Sequence, residues 1–274
     1  MILGIDIGGT TINLGLVEGK EIIKKISVPS FSKGATQEET LIYLYSKISQ
    51  IINPEVERIG VGVPTLVDSA KGIVYNAANI PSWDVVPLKE KMEFRYHLPT
   101  AINNDANCFV LGAAARLPKE HSMVVGITLG TGTGVGIVAD GNLLVGANCG
   151  AGEMGSIAYG DDIYETYCSK KYFTDRGTTP FDAFTAAEAG DAAALGLFRE
   201  FGGHLGRFLA AVLYAYDPDC LIIGGGLSQS SKYFKESMML SLKENYMYPN
   251  LLEKLELHMM PDADIPLLGA SLLK

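Results

Sequence analysis

The chain has 274 residues, enough for two modest lobes around sizeable cores. Hydrophobic residues make up 47% and charged residues 19%, the balance of a globular chain and not of a disordered one. A net charge of −9 argues against a broad nucleic-acid surface, which would be basic. It leaves anionic nucleotides open, because glycine amides and helix N-termini donate locally whatever the net charge.

The opening residues carry no basic stretch, and Asp6 interrupts their apolar run, so no secretory leader is expected. The longest apolar run, residues 208–216, is far too short to span a bilayer. Cys108, Cys149, Cys168 and Cys220 are widely spaced in apolar or small-residue contexts, and read as buried reduced thiols of a cytoplasmic protein.

In chain order, residues 2–7, 12–17 and the stretch to residue 28 read as three strands, with a turn at Gly8-Gly9-Thr10-Thr11 and a hairpin at 18–20. Residues 36–52 have helical periodicity, with Leu41, Leu44, Tyr45, Ile48 and Ile52 on one face. A strand at 58–63 stops at Pro64. A loop over 76–84 carries Asn79, Pro81 and Trp83, and a helix is expected over 86–94. A short strand at 100–103 leads into a helix over 105–116, with Asn104-Asp105 where a cap belongs. Residues 123–139 form a strand–glycine turn–strand unit, followed by a strand at 142–145 and a Gly/Ala-rich stretch at 146–155. Residues 160–180 read as irregular. Helices are expected at 181–189 and 191–216, a buried strand at 221–223 ending in three glycines, a helix at 230–246, a strand at 255–259 and a last helix at 266–273. Strands precede helices in both halves, so the class is α/β in two lobes. Their expected extents are 1–117 for a smaller N-terminal lobe, with the helix at 265–274 packing back on it, and 118–264 for a larger one.

Three glycine turns could hold phosphate or nucleotide. Gly130-Thr131-Gly132-Thr133-Gly134 has more glycine than a hairpin needs, and such a turn leaves backbone N–H groups uncovered. Asp6-Ile7-Gly8-Gly9-Thr10 is either a tight hairpin with a solvated Asp6 or a phosphate turn in which Asp6 orders Mg²⁺ through water. Gly224-Gly225-Gly226 is either a flexible connection or a surface for the adenosine of a nucleotide. Two strand–glycine turn–strand units suggest a duplicated fold. Asp105 is either part of a helix cap or a general base for phosphoryl transfer to an alcohol. Glu153, among residues almost without side chains, is either a helix-start carboxylate or an acceptor for vicinal hydroxyls. His97, His121, His204 and His258 have no metal or triad spacing and read as structural.

Together these motifs resemble the ROK family of sugar kinases, of the two-lobed actin/hexokinase-like (ribonuclease H-like) ATPase fold, each lobe a mixed sheet with flanking helices. The carrying residues are Gly4–Thr10, Gly60–Pro64, Ala77–Pro81 with Trp83, Asn104–Asn107, Leu129–Gly134, Ala151–Gly155, Gly224–Gly226 and Leu268–Ala270. The resemblance implies an ATP-dependent kinase acting on a hexose or N-acetylhexosamine, at the primary 6-hydroxyl. Asp6, Gly8, Gly9, Thr10, Gly130, Thr131 and Gly132 would hold the ATP phosphates and Mg²⁺, and Gly224, Gly225 and Gly226 would border the adenosine. Gly62 and Pro64 would line the sugar pocket. Asn79, Asn104, Asp105, Glu153 and Glu165 would contact the sugar, with Asp105 as the base. The resemblance also allows a homodimer. The alternative within it is a catalytically weak sugar-binding or sugar-sensing protein.

One departure is informative. Where most members of the family have a histidine after Ala-Gly-Glu-x-Gly, this chain has Ser156. The following stretch, 157–167, is short and lacks the three cysteines that hold zinc in the family. Cys168 alone cannot form a tetrahedral site, so no structural zinc is expected.

Overall fold

Short β-branched runs broken by glycine turns build two five-stranded mixed sheets of the same topology. The structure is a computed structural model that describes residues 1–77 and 79–274; Ala78, within the Ala77–Pro81 motif, lies outside the described residues. The chain divides into two compact units. One comprises Met1–Pro118, Leu143–Ala151 and Ala263–Lys274; the other comprises Lys119–Asn142 and Gly152–Asp262.

In the first unit, β1 (Ile2–Ile7) pairs antiparallel with β2 (Thr11–Glu18), and β2 with β3 (Glu21–Pro29). On its other side β1 runs parallel to β4 (Arg58–Val63), which runs parallel to β8 (Thr100–Asn104). The register aligns Asp6 with Gly62, and Gly62 with Asn103. Helix α1 (Gln37–Ile48) starts at a capping box formed by Thr36 and Glu39. Three very short strands, β5 (Val67–Asp68), β6 (Ile73–Tyr75) and β7 (Val85–Val86), make a separate antiparallel sheet. The helix expected from residue 86 begins later, as α2 (Leu88–Tyr96), because Val86 is taken by β7 and Pro87 lies outside helical geometry.

Helix α3 (Asp105–Arg116) and the C-terminal helix (Ile265–Leu272) pack at near backbone contact. A Cβ on Gly269 would lie 1.6 Å from the Cys108 carbonyl oxygen, and one on Gly60 would lie 1.8 Å from that of Ala270. Only glycine permits this approach. The core joins Leu3, Ile5 and Ile7 of β1 to Leu41, Leu44 and Ile48 of α1 and to Trp83.

In the second unit, β9 (Met123–Leu129) and β10 (Thr133–Ala139) form the antiparallel hairpin, and the edge strand β11 (Asn142–Leu143) begins at the last residue before the chain leaves this unit. Residues 160–180 are more ordered than their polarity suggests. They supply β13 (Asp162–Ile163), paired with β12 (Ala158–Tyr159), and then α4 (Tyr164–Cys168) and α5 (Lys170–Thr174). These elements are too short to show a period, and aromatic packing holds them. Tyr159 stacks on Tyr164 with centroids 4.3 Å apart, and Tyr167 lies against His204. That histidine belongs to the long helix α7 (Ala192–Tyr216), which follows α6 (Pro180–Glu188). Parallel to β9 runs β14 (Cys220–Gly224). After α8 (Ser231–Asn245), β15 (Glu256–Met260) closes the sheet beside β14. Phe173, Phe198, Phe201, Phe208 and Phe234 fill the core under it.

The two sheets have orders β3-β2-β1-β4-β8 and β11-β10-β9-β14-β15. Position for position they match, and the two glycine turns occupy the same hairpin in each. No described helix is long and apolar enough to cross a membrane.

Candidate active site

In the first unit, the candidate residues gather at the C-terminal ends of the parallel strands, the end where open α/β sheets carry ligands. Asp6 nears the end of β1, Gly62 nears the end of β4 with Pro64 just beyond it, and Asn104-Asp105 joins β8 to α3. Asp6 is partly buried, and burial pushes its carboxyl up to about 6, against the lowering effects of a hydrogen bond from Asn13 Nδ2 (3.2 Å) and of the Lys25 charge. A carboxylate whose charge the protein undercompensates suits a hydrated cation such as Mg²⁺. Behind it lies the buried Cys108, whose thiol is pushed well up by burial and then by the charges of Asp6 and Asp105. Its Sγ would touch a Cβ on Gly62 at 3.0 Å, which ties Asp6, Gly62 and Asp105 into one neighbourhood.

Asn104 is the helix cap. Its Oδ1 accepts from the N–H groups of Ala106 (2.8 Å) and Asn107 (3.3 Å), and its Nδ2 donates to the Thr65 carbonyl at 3.1 Å. Fixing Asn104 fixes the half-buried Asp105 at the first turn of α3. Asn103 braces the same turn by accepting from Asn107 Nδ2 at 2.9 Å.

The first glycine turn is held from behind by a residue that sequence reasoning missed. Ser30 donates its Oγ–H to the Gly8 carbonyl (2.8 Å) and its N–H to the Thr10 carbonyl (2.9 Å). The Gly8 N–H closes the hairpin on the Thr11 carbonyl at 2.9 Å. The N–H groups of Gly9 and Thr10 then have no acceptor among the described residues. The exposed Asn79 reaches the same turn: a Cβ on Gly9 would lie 3.3 Å from its Cγ. Its loop is anchored by the fully buried Trp83, whose Nε1 donates to Thr40 Oγ1 at 2.8 Å.

The second turn repeats this pattern. The Gly130 N–H donates to the Gly132 carbonyl (3.0 Å), and the Gly130 carbonyl accepts from the Lys170 N–H (2.9 Å). The Thr133 N–H donates to Glu165 Oε2 at 3.2 Å. That leaves Thr131 and Gly132 as adjacent N–H donors without an acceptor among the described residues. A Cβ on Gly130 would enter open space, so no neighbour within the protein requires glycine there. In the adjacent parallel strand, β14 ends in Gly224 opposite Thr128. Gly225 has φ +83°, and a Cβ on it would strike the Leu129 carbonyl at 2.4 Å, whereas one on Gly226 would meet nothing within 4 Å.

Glu153 is exposed and opens a single 3₁₀ turn (Glu153–Ser156). Its neighbour Met154 is anchored in the core of the second unit. Glu165, a sugar contact by the family resemblance, lies against the second glycine turn and presents Oε1 without a hydrogen bond from the described residues. Among the described residues, no group of three or more His, Cys, Asp or Glu could hold a metal ion. Cys168 is buried and its thiol is pushed up by burial. Cys149 departs from the buried-thiol expectation: it is partly exposed, in a left-handed turn with φ +58°. His204 receives or donates a hydrogen bond at Tyr159 Oη (2.9 Å), and His121 lies 3.4 Å from both Asp219 and Glu256.

The family model for ROK matches residues 2–273. The chain belongs to the ROK family. A glucokinase of Thermotoga maritima is 31% identical over 265 residues, covering 84% of this chain and 83% of that one. An N-acetyl-D-glucosamine kinase of Salmonella paratyphi B is 27% identical, covering 97% and 92%. Among solved structures, a ROK family glucokinase from Streptomyces griseus in complex with glucose and AMPPNP superposes with a TM-score of 0.82 at 26% identity, covering 98% and 97%. The α/β architecture of this ROK chain is the actin/hexokinase-like fold of these neighbours.

Proposed function

We propose that this ROK protein is an ATP-dependent sugar kinase that phosphorylates a hexose or N-acetylhexosamine at its 6-hydroxyl. The observation that carries the reading is the matched pair of glycine turns, each exposing two adjacent backbone N–H groups, together with a positioned carboxylate at Asp105. Gly9, Thr10, Thr131 and Gly132 would donate to phosphate oxygens, with Gly8 and Gly130 letting the backbone approach. Gly224, Gly225 and Gly226 would border the adenosine, where the open side of Gly226 leaves room. Asp6 would hold Mg²⁺ through water; when bound, the ion offsets the charge on the transferring phosphoryl group.

Asn79 and Asn104 would exchange hydrogen bonds with sugar hydroxyls, and the Glu153 carboxylate and the Oε1 of Glu165 would accept them, with Gly62 and Pro64 shaping the pocket. Asp105 would accept the 6-hydroxyl proton as that oxygen forms its bond to the γ-phosphorus and the bond to the ADP oxygen breaks. The Asn104 cap fixes the Asp105 backbone and Asp105 Oδ1 accepts the Ala106 N–H at 2.8 Å, so the carboxylate needs little reorganisation to act.

A coupled ADP-release assay over glucose, N-acetylglucosamine, N-acetylmannosamine, fructose and allose tests this. Turnover that depends on one or more sugars is expected. A sugar-induced thermal shift with no ADP release for any sugar would instead mark a sugar-binding protein.

A further inference from the structure

We propose that Glu165 is a positioning residue that ties the sugar to the second glycine turn, so that each ligand tightens the other. The ligands are those of the kinase reading above, on which this inference rests. Glu165 touches the turn closely: Oε2 accepts the Thr133 N–H at 3.2 Å, and a Cβ on Gly132 would fall 2.4 Å from the same oxygen. The segment around it grips the turn at two further points. Thr133 Oγ1 donates to the Cys168 carbonyl at 2.9 Å, and the Lys170 N–H donates to the Gly130 carbonyl at 2.9 Å.

By taking the Thr133 amide, Glu165 selects which donors remain, namely Thr131 and Gly132. Its other oxygen, Oε1, accepts no hydrogen bond from the described residues. A carboxylate is planar, so a hydroxyl that binds Oε1 restrains Oε2 as well, and with it the Gly132-Thr133 backbone. A turn already ordered by the sugar costs less to order around phosphate, and linkage makes the effect reciprocal.

The test measures AMPPNP binding by calorimetry without sugar and with saturating glucose or N-acetylglucosamine, and sugar binding with and without AMPPNP. In wild type each ligand should tighten the other by about fivefold or more, the scale of ordinary site–site coupling. Glu165→Ala should bring that ratio close to one. Glu165→Gln, whose amide oxygen can still accept from Thr133, should restore affinity for AMPPNP alone. Gly132→Ala should displace Oε2 and abolish the coupling, and in the Glu165→Ala background it should change the ratio no further. A merely structural role would lower Tm and leave the ratio intact. Wild-type coupling in Glu165→Ala overturns the inference while the kinase reading stands, as does a ratio of one in wild type that binds both ligands. Wild type that binds neither overturns the kinase reading, and this inference with it.

Discussion

Replacing Asp6 by asparagine should stabilise the ligand-free protein while destroying its activity. Burial disfavours the charge of the partly buried Asp6 carboxyl and pushes its pKa up to about 6 from an ordinary 3.8. The folded state therefore holds this proton more tightly than the unfolded chain does. The stability it contributes is complete below about pH 4 and is lost as pH rises through about 6. A gap of that size corresponds to about 3 kcal/mol, and partial exposure trims it to about 1–3 kcal/mol. The asparagine side chain carries no charge to desolvate, and its amide oxygen can still accept from Asn13. Asp6→Asn should therefore match wild type near pH 4 and exceed it by that margin at pH 7.5. Urea denaturation of the apo protein at several pH values, in magnesium-free buffer, reads this directly. Mg²⁺ with AMPPNP should then raise Tm more in wild type than in the variant, and ADP release by the variant should be lost. A variant less stable than wild type at pH 7.5, or a difference that does not change between pH 4 and 7, would refute the reasoning.

Ser30→Ala leaves the Gly8 carbonyl without its Oγ–H donor, a loss of about 1 kcal/mol in the order of the first turn. The KM for ATP should rise several-fold with sugar KM little changed, and Ser30→Thr should recover it in steady-state assays. Gly130→Ala adds a methyl into open space, so thermal melts should match wild type while the KM for ATP rises. Gly269→Ala should do the reverse. Its Cβ would sit 1.6 Å from the Cys108 carbonyl oxygen, so urea denaturation should show a loss of about 3 kcal/mol or more.

Much of this architecture is legible in the residues. The two strand–glycine–strand units point to a repeated sheet, and the repeat is present strand for strand in both sheets. The ordered motifs point to the ROK family, and the family model covers nearly the whole chain. Local chemistry made these visible: glycines where a turn is tight, Asn104 where a helix needs a cap. What was illegible depends on distance along the chain. Ser30 lies 22 residues from Gly8, and Glu165 lies 32 from Thr133; neither spacing carries a period or a motif. Composition also hid the order in residues 160–180. Their helices are only five residues each, and Tyr159, Tyr164 and Tyr167 hold them by packing around His204 and Phe208, which are remote in sequence. The delayed start of α2 has a local cause, since the ring of Pro87 disfavours helical backbone at Val86, which pairs in a strand instead.

The proposed reaction transfers the γ-phosphoryl group of ATP to a sugar hydroxyl with Asp105 as the proton acceptor. Wild type and Asp105→Asn should be incubated side by side with γ-labelled ATP and the sugar that supports the fastest ADP release. Label should appear on the sugar 6-position with wild type. Asp105→Asn should bind sugar with near wild-type affinity and transfer label about 10²–10⁴-fold more slowly. Label recovered only as inorganic phosphate from wild type, or near-normal transfer by Asp105→Asn, would contradict this mechanism.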